Sequence, residues 1–473
     1  MPVKKFIPLS HARKIIRDLR VHRLSAGSLS QLISHDSSTG LYVLGDDPIE
    51  FEAQQRCGLA TRINHVSEIV NAVRRNAPLI CPGQLNGSKQ IIVIFKNGIL
   101  DVHTLTISKH SPTLFYTIGI PHDWVPHAVC PNFDRFVSEI LPEEMHRLLR
   151  EIMGLLLIPY TRFRKFFVFL GQGANGKSTL IAVIVSMLDE RNVSHQSLHQ
   201  LVDNRFGLAE LYGKLANTYA DLESDDVKSS GLLKQIVSGD SLQCEKKFRD
   251  PFTAPVTARL LFSANRMPII RDTSEAISDR LILLEFPNRF PEEKQDKELI
   301  DRLTTQTELE GIIARWAIPG LQSLLQRGRF DLPQRSRELI AVYRDETDPF
   351  HRFASEQLEI APGTWLKKND AHGNYTLWCF SEGVSQSRQL SRAEFNRRIC
   401  ETFGLPNDDR RIPGSRDRAW EGIRQRDEDP YKSQGSQINP RSIPGQVVEN
   451  IERSQESQVS DSPRAESSGE IVN

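Results

Sequence analysis

The sequence predicts an α/β protein whose central part, residues 160–300, is a parallel sheet covered by helices. Phe166–Leu170 is an uninterrupted apolar run, which is typical of a strand buried on both faces. Further apolar runs follow at 215–220, 260–263 and 281–286, and stretches with helical character separate them. Because strands alternate with helices, we expect a three-layer α/β domain.

The segments before this domain are predicted to be mixed. Residues 1–90 have no clear pattern, and their Ser-rich stretch 25–38 is typical of a loop. Residues 91–159 are predicted to contain two short strands around the tight turn Asn97-Gly98. A helical lead-in follows, because its apolar residues recur at helical spacing.

The segments after the domain change in composition twice. Residues 301–349 are predicted to be a helical connector, and residues 350–425 are rich in arginine and aromatic side chains. Residues 426–473 consist mainly of Ser, Gln, Glu, Pro and Arg. Such a segment buries too little apolar surface to offset its ordering entropy, so we expect a disordered tail.

The overall composition excludes several classes of protein. Lys plus Arg and Asp plus Glu both number 60 among 473 residues, so the net charge gives no argument for nucleic acid. There is no apolar run long enough to cross a bilayer and no signal-peptide core, so we expect a cytoplasmic protein without a membrane partner. The six cysteines form no CxxC pair, so a zinc site is not expected.

A phosphate-binding loop is predicted at residues 171–178, GQGANGKS, between the first core strand and the following helix. Glycines let such a loop fold tightly, so that backbone N–H groups converge on phosphate oxygens. Lys177 can reach the terminal phosphates, and Ser178 can supply an oxygen ligand to Mg²⁺. We therefore expect ATP and Mg²⁺ as cofactors. The nucleotide-binding residues would be Gly171, Gly173, Ala174, Asn175, Gly176, Lys177, Ser178 and Thr179.

Acidic residues follow the second apolar run. Asp221 stands where an acid at the end of a strand can hold Mg²⁺, and Glu223 could polarise the attacking water. Because Asp225 and Asp226 are close, a solvated acidic turn is the alternative.

Asn265 and Arg280 are the remaining catalytic candidates. Asn265 follows the third run, where its amide could contact the γ-phosphate or orient water, although Asn is also common in turns. Arg280, or Arg271 nine residues before it, could reach the nucleotide of a neighbouring subunit and stabilise charge in the transition state. A surface arginine is the ordinary alternative.

A polar stretch between these strands carries Lys246 and Lys247. The Gly239-Asp240 turn before it is compatible with a hairpin that presents both lysines to a phosphate backbone. From these residues alone, an exposed basic loop is favoured.

In their order along the chain, these segments resemble the superfamily 3 helicases, in particular the phage and plasmid primase-helicase group that includes the poxvirus primase-helicase. The resemblance covers about residues 90–425. Its matching segments are NGILDV, HSP, GQGANGKST, KLANTYADLE, SGDSLQCEKKFRDPF, LLFSANRMP, and RDTSEAISDR followed by LILLEF.

The resemblance implies an AAA+-like core, a homo-hexameric ring with nucleotide sites between subunits, and 3′-to-5′ translocation on single-stranded DNA. About 90 residues precede it, too few for a primase-polymerase domain, so we expect a helicase without its primase, which is either truncated or works with a primase in trans. Glu223 and Asp279 depart from the residues usual in the family. The residues that the resemblance assigns to phosphate, metal, catalysis or DNA are Lys177, Ser178, Asp221, Asn265, Arg280, Lys246 and Lys247.

Residues 350–425 resemble the winged-helix module that follows this motor in relatives. Ser391 and Glu394 are predicted to form a capping box at the start of a helix. One face of this helix would be apolar, and arginines on or near the other face would contact DNA, unless they form only a solvated surface. These arginines are Arg392, Arg397 and Arg398.

Three functions fit these features. The first is an ATP-dependent helicase that acts on single-stranded and replication-fork DNA of a phage, prophage or plasmid. The second is an AAA+-type ATPase that remodels or loads a protein partner, which would need neither Lys246 nor Lys247. The third is a DNA-binding remnant with an inactive motor, which the intact Lys177, Asp221 and Asn265 disfavour.

Overall fold

The computed structural model describes residues 7–26, 29–58, 62–87, 90–220, 222, 230–247, 251–268, 270, 276–408 and 410–426. The chain forms two compact units. One comprises Met1–Arg352 and Val384–Gln389, and the other Phe353–Gly383 and Leu390–Asn473. The predicted disordered tail, apart from its first residue, lies outside the described residues. Among the described helices, none is long and apolar enough to cross a membrane.

The first unit begins with a four-stranded sheet beside three helices. Leu32 packs in one core with these helices, whereas Ile33 lies in a second core on the other side of the sheet. The expectation of a loop at 25–38 is therefore wrong, because burial on both faces overrides the low strand propensity of serine. The sheet order is β3-β2-β1-β4. The elements are α1 (Pro8–Asp18), β1 (His22–Ala26), β2 (Leu29–Asp36), β3 (Leu41–Leu44), α2 (Asp47–Cys57), α3 (Ile63–Asn76) and β4 (Leu79–Ile80).

A small antiparallel sheet and two helices lead to the core. Its strands are β5 (Ile92–Phe95), β6 (Gly98–Asp101) and β7 (Ile107–Ser108). The predicted hairpin is confirmed, but its turn consists of Lys96 and Asn97, since Gly98 already belongs to β6 and pairs with Phe95. The Asn97 side chain is fixed by hydrogen bonds to both backbone groups of Trp124. The helical lead-in is also confirmed, as α4 (Pro131–Ile140) and α5 (Glu143–Leu155).

The core contains a five-stranded parallel sheet of order β14-β8-β13-β10-β9. The four predicted apolar runs correspond to β8, β10, β13 and β14, so the prediction of a parallel sheet is confirmed. Phe167 and Phe169 belong to one core and Phe166 and Val168 to another, so helices cover both faces. The elements are β8 (Phe166–Leu170), α6 (Lys177–Leu188), β9 (Val193–Ser194), α7 (Leu198–Asp203), β10 (Ala216–Tyr219), α8 (Ser230–Ser238), β11 (Ser241–Cys244), β12 (Phe252–Pro255), β13 (Arg259–Ala264) and β14 (Leu281–Glu285).

Helices follow the core. They are α9 (Leu299–Leu303), α10 (Gln306–Ile312), α11 (Ile318–Arg327), α12 (Gln334–Thr347) and α13 (Pro349–Gln357), with a π-helical turn (Ile313–Ala317) between α10 and α11.

The second unit contains β15 (Leu358–Lys367), α14 (Lys368–Ser381), α15 (Arg392–Phe403) and β16 (Ala419–Gln425). The two strands pair antiparallel. The Phe395 ring packs on Tyr375, with 5.0 Å between centroids, and on Phe353 at 6.0 Å. The Ser391 hydroxyl caps α15, since it accepts a hydrogen bond from the Glu394 N–H at 3.3 Å. The second half of the predicted capping box is not formed, because the Glu394 carboxylate is hydrogen-bonded to Arg397 and not to the Ser391 N–H.

Candidate functional site

A cavity of about 780 Å³ opens at the carboxyl end of the parallel sheet. The loop after β8 lines it, together with Ala220 after β10 and with Ser263 and Asn265 at the end of β13. From β8 the sheet extends to β14 on one side and to β13, β10 and β9 on the other. Ligands of open α/β sheets bind at such a reversal of strand order. The volume falls within the range of small-molecule sites.

The loop between β8 and α6 folds tightly around its glycines. Gly176 has φ +85°, and a Cβ there would lie 2.6 Å from Cγ2 of Ile140. At Gly173, by contrast, a Cβ would meet nothing within 4 Å, so this backbone faces open space. Asn175 is 3% exposed, and its buried Nδ2 has no hydrogen-bond partner among the described residues. The loop therefore brings an unused donor and an open stretch of backbone to the cavity.

Lys177 begins α6 and is only 5% exposed. Its ammonium group donates to the Asn175 Oδ1 at 3.1 Å, to the Asn265 Oδ1 at 3.5 Å, and to the Gly171 carbonyl. The first N–H groups of a helix have no acceptor within it, and the helix dipole adds positive potential there. Ser178 and Thr179, in this first turn, also line the cavity. This assembly of donors suits a phosphate group.

The tips of the neighbouring strands complete this side of the cavity. Gly171 N–H donates to the Ala264 carbonyl at 3.1 Å, which joins the start of the loop to the end of β13. Asn265 follows directly, so its contact with Lys177 joins the two strand ends. Asp221 and Glu223 lie outside the described residues, while Ala220, just before them, lines the cavity.

Two walls of the cavity were not predicted from the sequence. α4 provides one wall and the segment around α9 the other. The buried Glu308 on α10 accepts hydrogen bonds from the Phe133 N–H at 2.8 Å and from the Asn132 side chain at 3.2 Å, which fixes the first turn of α4. The lining residues from these walls are Asn132, Arg135, Phe136, Glu139, Ile140, Phe290, Lys294, Gln295, Asp296, Leu299 and Arg302.

Arg280 lies at the other end of the sheet. Its carbonyl accepts a hydrogen bond from the N–H of Phe166, the first residue of β8, at 2.9 Å. The loop with Lys177 follows the last residue of β8, about 13 Å further along the strand. The Arg280 guanidinium is partly buried and donates to the Ala276 carbonyl at 2.8 Å. Arg280 therefore takes no part in the cavity of its own chain.

Lys246 and Lys247 follow the first strand of a β-hairpin. β11 and β12 pair antiparallel from Ser241 opposite Pro255 to Cys244 opposite Phe252, so the hairpin exists. The Lys247 ammonium lies 5.9 Å from the centroid of the Phe206 ring. Both lysines stand beyond the paired strands.

The three arginines of α15 have different environments. Arg392 is exposed. Arg397 is held between Glu394 and Glu401, and the hydrogen bond to Glu394 raises the pKa of Arg397. Arg398 is only 6% exposed, so the expectation that it lies on the polar face of α15 is wrong. It falls three residues after Phe395 and next to Ile399, which are both fully buried, and so shares their side of the helix.

Comparisons with known proteins give a consistent but distant relationship. Residues 169–280 match the model of a family described as a family of unknown function, DUF5906. A protein of Invertebrate iridescent virus 3 named "Putative helicase 121R" is 21% identical over 393 residues, which is 68% of this chain and 38% of the viral protein. A protein of Acanthamoeba polyphaga mimivirus with a name of the same kind is 21% identical over 214 residues, covering 42% of this chain and 22% of that protein.

A solved structure extends the comparison to the fold. The A form of the apo NrS-1 C-terminal region has a TM-score of 0.51 at 9% identity, covering 88% of this chain and 99% of that region. The chain spans well under half of the length of the two viral relatives. It is therefore similar to viral proteins named as helicases, and it has an α/β core with a parallel sheet.

Proposed function

We propose that the chain is an ATP-dependent DNA helicase that translocates on single-stranded DNA during replication of a phage, prophage or plasmid. The observation that carries the proposal is the cavity at the carboxyl end of the sheet, where Lys177 at the start of α6 meets Asn265 at the end of β13. The Lys177 ammonium, at the start of the helix, contacts the strand tip through Asn265. In this proposal the two residues form the site for the triphosphate and its attacking water.

In this proposal ATP binds with its phosphates against residues 171–179. The unused Nδ2 of Asn175 and the open backbone at Gly173 are compatible with close approach of phosphate oxygens. Ser178 and Asp221 would hold Mg²⁺, which neutralises developing phosphate charge when bound. Asn265 would orient the attacking water, and Glu223 would accept its proton.

Arg280 would act on the nucleotide of a neighbouring subunit, as an arginine finger. Its place at the far end of the sheet from Lys177 supports action between chains, because the guanidinium cannot reach its own cavity. A homo-hexameric ring would bring the amino end of one sheet toward the cavity of the next subunit. Such a ring would be cytoplasmic and could work with a primase in trans.

DNA contact would come from the hairpin and from a winged-helix-like second unit. Lys246 and Lys247 would track the phosphates of the single strand, since lysines on a hairpin can contact successive phosphates. Arg392 and Arg397 would add phosphate contacts from α15, with Arg392 the more available of the two because Arg397 is paired with carboxylates.

Strand displacement tests this proposal. Forked duplexes with a 3′ or a 5′ single-stranded tail would be incubated with the full chain and ATP. We expect displacement of the duplex with the 3′ tail, and none with Lys177→Ala. ATP hydrolysis without displacement of either duplex would contradict the helicase function and favour an ATPase that acts on a protein partner.

A further inference from the structure

The first helix of the chain concentrates positive charge on an exposed surface. Arg13, Lys14 and Arg17 on α1 are exposed, and Arg20, just beyond its end, is exposed as well. Arg13 and Arg17 are one turn apart, about 6 Å along the axis, and Lys14 is next to Arg13. These four residues are called the basic surface of α1 below.

Little negative charge balances this surface. Between Pro8 and Arg23 the sequence has five arginines and lysines but one acid, Asp18, although the whole chain is neutral. The Asp18 carboxylate forms ion pairs with both Arg17 and Arg56, each at 2.8 Å. These hydrogen bonds lower the pKa of Asp18 to about 2. Arg13 and Lys14 form no ion pair within the part of the chain that the structure describes.

The basic surface has no role in packing α1. The helix is anchored by Ala12 and Ile15, which are fully buried in a core shared with α2 and α3. An interfacial membrane helix would need its apolar face free to enter lipid. Because this face is already buried, the exposed cations are left for a partner recognised by its negative charge.

We propose that the basic surface of α1 binds the phosphate backbone of a nucleic acid. Cations at successive helical positions neutralise phosphates and release their condensed counterions, which favours binding without reading the sequence. α1 contributes no residue to the cavity, so this contact is independent of nucleotide hydrolysis. The contact would give the region before the core a function. This region would hold the nucleic acid separately from the contacts at the hairpin and α15.

The test compares the natural chain with Arg13→Gln/Lys14→Gln, in which glutamine preserves helix propensity while removing charge. Binding of a labelled single strand and of a labelled duplex would be followed by fluorescence anisotropy between about 50 and 200 mM salt. We expect the α1 variant to bind the single strand, the duplex or both about tenfold more weakly than the natural chain at the lowest salt concentration. The slope of log affinity against log salt should become shallower by about 1.4 for the single strand or 1.8 for the duplex.

The matched control is Lys109→Gln/Arg329→Gln, which removes the same charge from two other exposed positions and should leave both slopes unchanged. Basal ATP hydrolysis should be equal in all three proteins, so failure of this inference is distinguishable from failure of the proposed motor. Equal affinities and slopes for the α1 variant and its control in both arms would overturn the proposal. Loss of binding to anionic phospholipid vesicles, with no loss for either nucleic acid, would overturn it as well and assign the surface to a membrane.

Discussion

Lys177 and Arg280 lie at opposite ends of the same parallel sheet. The Arg280 carbonyl is bonded to the first residue of β8, while Lys177 starts the helix that follows the last. A strand of five residues keeps the two ends about 13 Å apart. Each side chain is bonded at its own end, Lys177 to Asn265 and Arg280 to the Ala276 carbonyl, so the two do not face one phosphate group. If both act in catalysis, they act on different nucleotides.

Mixing two inactive variants tests action between subunits. We expect Lys177→Ala and Arg280→Ala each to lower ATP hydrolysis, the arginine variant by about 10³-fold or more. A mixture should recover activity, because some sites then combine an intact Lys177 with an intact Arg280 from the neighbour. Arg329→Ala, at an exposed position that does not line the cavity, is the control. An Arg280→Ala protein that hydrolyses ATP at the natural rate would exclude the finger role.

Two glycines of the loop should respond differently to alanine. Gly176→Ala forces a side chain into a left-handed conformation 2.6 Å from Ile140, so we expect a loss of about 1–3 kcal/mol in unfolding free energy together with weaker ATP binding. Gly173→Ala has space for its methyl group, so the free energy of unfolding should stay unchanged. The methyl group would occupy the open space at this backbone, so ATP affinity should fall. Urea unfolding and nucleotide titration measure the two effects. Equal stabilities of the two variants would contradict this account of the loop.

A buried carboxylate between α5 and α11 gives a prediction for stability and pH. Glu151 is fully buried, which raises its pKa, and Arg327 opposes this shift through a 2.9 Å ion pair. Arg327→Gln removes the close partner and leaves only Arg147, 3.9 Å away, so we expect a loss of about 3 kcal/mol near pH 7. Arg147→Gln is the control, since Arg147 is half-exposed and its 2.8 Å ion pair is with the half-exposed Asp331, so its loss should cost about 1 kcal/mol or less.

The pH dependence of this loss has a definite sign. A carboxyl whose pKa is raised on folding favours the folded state below its unfolded value of about 4.3 and costs stability as the pH rises above it. Removing Arg327 enlarges that cost. The stability difference from the natural chain should therefore be largest near pH 7 and shrink toward pH 4 in urea titrations, and a difference that grows on acidification would be inconsistent with a buried Glu151 charge.

The hairpin lysines should couple DNA to the motor without affecting the cavity. For Lys246→Ala/Lys247→Ala we expect unchanged basal ATP hydrolysis, because neither residue lines the cavity, but loss of stimulation by single-stranded DNA. Lys109→Ala serves as the control for removal of an exposed positive charge. Stimulation of the double variant by DNA as strong as that of the natural chain would contradict a DNA-binding role for these lysines.

The sequence predicted those parts of the fold whose signals are local. β8 and β13 are inner strands buried on both faces, so their residues form continuous apolar runs. The sheet of the first 80 residues was missed because β1 pairs with β4 more than fifty residues later, and because β2 mixes serines with its buried residues. Partners so distant leave no periodic trace in either segment.

In the candidate site, too, the residues close together in the sequence were predicted and those far apart were not. Residues 171–179 were predicted because they follow one another in the chain and match one motif, and residues 173–179 do line the cavity. The walls from α4 and from the segment around α9 come from positions far apart in the chain, and their residues carry no motif. Arg398 shows a smaller limit, since its polar side chain suggested a solvent face while the helix places it beside Ile399 in the core.

In the proposed function, single-stranded DNA stimulates ATP hydrolysis at the cavity around Lys177. The most direct measurement is the ATPase rate of the purified chain with and without single-stranded DNA, with Lys177→Ala measured in parallel. We predict strong stimulation of the natural chain by DNA and none of the variant. The ATPase rate of the variant should be lower than that of the natural chain by a factor of about 10² or more. Hydrolysis that is indifferent to DNA, or that persists in Lys177→Ala, would contradict the account.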